Sequence, residues 1–162
     1  MKLKIILPIA AVVLLLVGVV LMGLTLASPN SSFIKDVTLN DSGTTQETLE
    51  MSANGLTPGD VREYTLNFKS QSSGSYMLNF QFVELSDGAL KDFVKVTLLC
   101  DDSSATYNLS DLLGGEVATL KVKVVSKQNC VVKVIYEIPI EVGNEAQNAT
   151  ADFTVNLTAE KI

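Results

Sequence analysis

The 162-residue chain contains no histidine and no tryptophan, and Arg62 is its one arginine. Without histidine it lacks the commonest general base near neutral pH and the commonest zinc ligand. A serine nucleophile would have to use lysine as its base, and no Ser-x-x-Lys with supporting groups stands out. Basic charge is scarce as well. With residues 1–27 set aside, and Lys2 and Lys4 with them, ten basic side chains remain against eighteen acidic ones. Such a field does not draw a chain to phosphate backbones or anionic headgroups. No glycine-rich phosphate loop follows a strand, and no basic stripe carries interleaved aromatics. These absences argue against an enzyme, a metal or other cofactor and a nucleic-acid partner.

The chain is rich in apolar residues, at 47%, and a large share stands at its beginning. Met1-Lys2-Leu3-Lys4 is followed by Ile5 to Leu26 without a charge. As a helix that run would measure roughly 33 Å, enough to cross a bilayer core of about 30 Å. Two readings stand: a signal peptide cleaved after Thr25-Leu26-Ala27, or an uncleaved anchor with the two lysines in the cytoplasm. Either one exports residues 28–162 to the cell surface or the medium. The expected organisation is therefore a signal or anchor at 1–27, a polar linker at 28–52 and a folded domain at 53–162.

Within that domain, apolar residues recur at every second position. Tyr64, Leu66 and Phe68 alternate with polar neighbours, as do Tyr76, Leu78, Phe80 and Phe82, then Val94, Val96, Leu98 and Cys100. Ala118 to Val124, Cys130 to Ile138 and Phe153 to Leu157 repeat the pattern. A period of two is what half-buried strands need, because successive side chains point to opposite faces. Turn chemistry separates the runs, at Pro58-Gly59-Asp60, Ser73-Gly74, Asp87-Gly88, Gly114-Gly115 and Gly143-Asn144. Phe33, Val37 and Leu39 form a weaker segment, Thr48 to Met51 a short one, and Ser110 to Leu113 a single helical turn. Seven or eight strands predict an all-β, antiparallel two-sheet sandwich, jelly-roll or Ig-like, preceded by one N-terminal hydrophobic helix.

Cys100 and Cys130 both continue the apolar side of a strand. Export permits a bridge between them, worth about 3.7 kcal/mol from loop closure, and two buried free thiols are the alternative. Asp101-Asp102 reads as a hairpin end rather than a calcium loop, and Asp60 as a turn residue bonding its own backbone. Nothing places Glu141 and Glu145 across a cleft. Asn-x-Ser/Thr occurs at Asn30, Asn40, Asn108, Asn148 and Asn156, and a polar sheet face is the preferred reading over glycan attachment.

Two stretches carry a resemblance. Leu56-Thr57-Pro58-Gly59-Asp60 before an alternating strand resembles the opening of exported bacterial sandwich domains. The run from Tyr136-Glu137-Ile138-Pro139 through Gly143-Asn144-Glu145-Ala146-Gln147 to Ala151-Asp152-Phe153 resembles the closing segment of the TasA/camelysin family. That resemblance implies a jelly-roll domain exported by Gram-positive bacteria as a subunit of cell-surface or biofilm-matrix fibres. It also implies self-association in which an N-terminal strand of one subunit completes the sheet of the next. Phe33, Val37 and Leu39 mark the donor strand here, or else the first strand of their own domain. The family's other label, a metallo-endopeptidase, lacks a His-Glu-x-x-His in this chain. The alternative function is a binding or display module, held to the membrane through residues 5–26 if these are not cleaved.

Overall fold

A computed structural model describes residues 33–101 and 103–162. The hydrophobic segment at 5–26, the cleavage site at 25–27, the sequon at Asn30 and the carboxylate of Asp102 lie outside these residues. Among the described residues, no helix is long and apolar enough to cross a membrane.

The described residues form nine strands in two sheets: β1 (Phe33–Thr38), β2 (Thr44–Leu49), β3 (Val61–Lys69), β4 (Gly74–Ser86), β5 (Lys95–Cys100), β6 (Ser103–Asn108), β7 (Val117–Val124), β8 (Asn129–Glu137) and β9 (Asp152–Lys161). One sheet runs β1-β3-β8-β5-β6 and the other β2-β9-β4-β7. A short helix α1 (Leu109–Leu113) and two 3-10 segments, Ala89–Asp92 and Ile140–Ala146, complete the described elements. Period-two alternation does what it predicts. Leu66, Phe68, Val132, Val134, Val96 and Leu98 point in from one sheet, and Leu78, Phe80, Val155 and Val124 from the other, all fully buried.

Two findings differ from the sequence expectation. The stretch 28–52, expected as a polar linker with a possible donor strand, supplies an edge strand to each sheet from Phe33 onward and buries Val37, Leu39, Leu49 and Met51. The sandwich is also not wholly antiparallel. β1 lies parallel to β3, with Phe33 opposite Tyr64 and Thr38 opposite Lys69, while every other described pairing is antiparallel. The cause is chain order. β1 and β2 join through residues 39–43 and belong to different sheets, so β1 meets β3 after a crossover rather than a hairpin.

The sandwich has two poles. One carries the loops at 50–60, 87–94, 109–116 and 138–151. The other carries the turns at 39–43, 70–73 and 125–128 and Asp101, together with Ile162, whose N–H donates to the Ser75 carbonyl. A run of aromatic rings crosses the first pole from sheet to sheet. Phe33 meets Tyr64 at 5.7 Å between centroids, Tyr64 meets Tyr136 edge-on at 5.6 Å, Tyr136 meets Phe153 at 6.0 Å, and Phe153 meets Phe82 at 5.6 Å. Such tilted and edge-to-face pairs add attraction beyond the area they bury.

Candidate functional site

The described residues hold no cluster of three or more metal-ligating side chains. Asp101 sits at φ 48° in the turn that joins β5 to β6, a left-handed conformation such two-residue turns demand. Glu141 and Glu145 lie exposed on the 3-10 segment after Pro139. Gly143 breaks that segment at φ 66°, and Gln147 Nε2 donates to Asn144 Oδ1 at 2.8 Å. The Gly-Asn-x-x-Gln pattern thus closes a loop on itself.

Pro58-Gly59 forms a tight turn with Gly59 at φ 87°. The Asp60 carboxylate accepts from both the N–H and the hydroxyl of Thr57, each at 2.8 Å, and those bonds hold it below the usual carboxylate range. Gly59 N–H donates to the Ile138 carbonyl and Ile138 N–H to that of Asp60, which ties the turn to the end of β8. Asp60→Ala is expected to lose about 1 kcal/mol, since two hydrogen bonds to a partly exposed charge disappear. Urea titration of the two proteins checks this, and an unchanged midpoint would reduce the turn to a bystander.

β1 is the first feature with functional shape. Of its six residues Val37 alone is fully buried, while Phe33 and Ile34 stay exposed at 39% and 62%. Beyond the ladder to β3, polar side chains hold it. Asn67 donates to Asp36 at 2.9 Å, and Lys69 pairs with the same carboxylate at 2.5 Å, so that Lys69 first and Asn67 second hold Asp36 low. Lys35 reaches across to the other sheet, donating to Glu47 and to the Thr48 carbonyl, both at 3.1 Å. A lysine placed so between two edge strands is a common guard against edge pairing. Exposed pairs of this kind contribute little stability and weaken in salt.

Beyond β1 the chain is pinned more firmly. Leu39 N–H donates to the Lys69 carbonyl at 2.7 Å. Asp41 accepts from the Ser70 hydroxyl, from Tyr76 at 3.2 Å and from the Ser72 N–H at 3.4 Å, and the Ser70 bond chiefly lowers its pKa. Ser70 is 2% exposed. β1 therefore ends in a fixed hinge at 39–41 and is itself lightly held. Between the opposite pair of sheet edges, Thr119 N–H of β7 donates to the Tyr107 hydroxyl of β6 at 3.0 Å, which donates on to the Thr119 carbonyl.

The two cysteines, 30 positions apart, are the second feature. Cys100 ends β5 and Cys130 is the second residue of β8, with their sulfurs at 3.4 Å as thiols. Burial pushes both thiols up, Cys130 to about 12. Of the residues singled out in the sequence, the structure brings these two together, and it seats Phe33, Val37 and Leu39 along their own chain's β3. Asn156, which the sequence marks for a polar sheet face, stands on the outer face of the second sheet. There Gln46, Glu47, Thr48, Gln81, Asn156 and Thr158 line a shallow polar groove of about 330 Å³.

No protein-family model and no curated protein matches the chain. Solved structures resemble it distantly. The CUB1-EGF-CUB2 domains of rat MASP-1 are 18% identical, with a TM-score of 0.35 over 78% of this chain and 42% of that one. The pre-peptidase C-terminal domain of a Bacillus anthracis collagenase is 11% identical, with a TM-score of 0.35 over 82% of this chain and the whole of that one. The full extracellular region of zebrafish Gpr126 is 15% identical, with a TM-score of 0.35 over 78% of this chain and 15% of that one. Likenesses this distant carry no argument about activity, ligand or partner.

Proposed function

We propose that the chain is an exported structural protein, a TasA-like subunit of cell-surface or biofilm-matrix fibres. Its sandwich is of jelly-roll type, and the apolar segment at 5–26 acts as export signal or anchor. The observation that supports this reading is the state of β1: a first strand at a sheet edge, with one fully buried side chain, hung from a fixed hinge. A strand so held can leave β3 and be replaced by the identical segment of a second copy, whose Val37 fills the same slot. A free edge is a template for such pairing, and a head-to-tail exchange that does not close on itself makes a filament.

The test compares a chain beginning at Ser28 with one beginning at Asn40, which removes β1 and Leu39 but keeps Asp41 and the whole of β2. Negative-stain microscopy and light scattering should show filaments from the longer chain and none from the shorter. The shorter chain should in addition bind a peptide spanning residues 31–39. Monomers from both at high concentration would overturn self-assembly. They would favour the second reading, a surface-displayed binding module that uses the polar groove on β2, β9 and β4.

A further inference from the structure

We infer that Cys100 and Cys130 form a disulfide in the mature protein, and that an incoming disulfide oxidant reaches the pair through Cys100. The inference is independent of filament formation. It starts from strand order. β5 and β8 are antiparallel neighbours with Leu98 opposite Val134 and Leu99 opposite Lys133. Continuing that register sets Cys100 across from Val132, so Cys130 lies two residues away on the same inward face. Side chains on such a diagonal reach one another. The sulfurs already stand at 3.4 Å, and a bond at about 2.05 Å is reached by small rotations about χ1.

Both thiols are buried, Cys100 at 5% and Cys130 at 7% exposed, and they differ in what they face. A groove of about 280 Å³ opens beside the β5–β6 turn, lined by Ser75, Cys100, Asp101, Ser103, Lys121 and Lys123 among others. Cys100 lines it, whereas Cys130 stands opposite Phe68 of β3 in the ladder. Burial first, and the Asp101 carboxylate beside it, hold Cys100 in the thiol form, whereas the ammonium groups of Lys121 and Lys123 on the groove's rim attract an anionic oxidant such as oxidised glutathione. In the first step the Cys100 thiolate, having given up its proton to solvent, attacks one sulfur of the oxidant. The oxidant's S–S bond breaks, its other half leaves as a thiolate, and a mixed disulfide stands at Cys100. Cys130 then loses its proton, attacks the Cys100 sulfur and expels the second half. Two protein thiols have given up two electrons and two protons, and the oxidant has become two thiols. Burial raises both thiols, so both steps quicken as the pH rises.

The experiment exposes the reduced full chain to oxidised glutathione at mildly alkaline pH, then reads intact mass, thiols titrated in denaturant and Tm. The expected product loses the mass of two hydrogens and both thiols, gains roughly 10 °C in Tm, and reverts with dithiothreitol. Cys130→Ala should stop at one glutathione on Cys100, while Cys100→Ala stays unmodified over the same interval. Persistence of both thiols in the folded wild type would overturn the proposal, whether or not the alanine variants fold. So would disulfide-linked dimers on a non-reducing gel, or glutathione accumulating on Cys130 in the Cys100→Ala protein.

Discussion

Gly88→Ala is expected to lose about 3 kcal/mol, the upper end of what overpacking a tight site costs. A Cβ built on Gly88 would lie 2.0 Å from the Thr150 carbonyl oxygen, 2.8 Å from its carbon and 3.3 Å from Cα of Ala151. All three are backbone atoms, so no side chain can turn aside. The dihedrals are not the reason, since Gly88 is extended at φ −156°. The same Thr150 carbonyl accepts from Leu90 N–H, and Leu90 is fully buried in the 3-10 turn that follows. Making room means lifting that turn from the start of β9, an interior strand of its sheet. Gly74→Ala is the control: its Cβ would meet Cε of Lys161 at 2.7 Å, the movable end of a long side chain, and stability should hold within about 0.5 kcal/mol. Urea titration reads both, with a midpoint fall of roughly 1–2 M for Gly88→Ala. Equal midpoints for the two variants would refute the close approach.

The second large effect is alkaline. Tyr136 is fully buried, and its hydroxyl donates only to the thioether of Met51 at 3.4 Å. Burial first, and the nearby Tyr64 second, raise its pKa well above the ordinary 10.0. In the unfolded chain the phenol ionises near that ordinary value. Below it both states keep the proton, and the contribution of the buried phenol is fully present. Above it the unfolded chain releases a proton that the folded chain retains, and stability falls by up to about 1.4 kcal/mol per pH unit. The decline continues until pH passes the folded value. The two buried thiols act in the same direction from about pH 9 while they remain reduced. Tyr136→Phe isolates the phenol. At neutral pH it should differ by less than about 1 kcal/mol, because a thioether is a weak acceptor. From about pH 10 upward it should become the more stable protein, and the two curves of urea midpoint against pH should cross. Parallel curves would mean that the ring is hydrated in the folded state.

The alternating runs were legible because both faces of the interior were coded in single strands. Leu66 beside Asn67, or Val134 beside Lys133, states its own orientation. The edges were not. β6 (Ser103–Asn108) carries no pattern of its own, and most of β2, which starts at Thr44, falls within the stretch expected as a linker. An edge strand has one neighbour and little depth: no residue of β6 and only Leu49 of β2 are buried, so neither shows an apolar period. The inward parity of Cys100 and Cys130 was readable, but their contact depends on β5 and β8 being neighbours, a matter of strand order. The parallel seat of β1 and the Gly88–Thr150 approach are likewise products of topology, which no local pattern encodes.

The parallel placement of β1 also decides how the domain meets mechanical load. β1 starts at the pole of the long loops and β9 ends at the other, so both strands run the same way through the sandwich. Tension drawn between Phe33 and Ile162 pulls β1 lengthwise against β3, and β9 lengthwise against β2 and β4. The ladder bonds lie across that direction, or slant to it beside β1. They are therefore strained together, in shear, instead of parting one after another as in a peeled hairpin. A link in a stretched chain has its best resistance in that geometry.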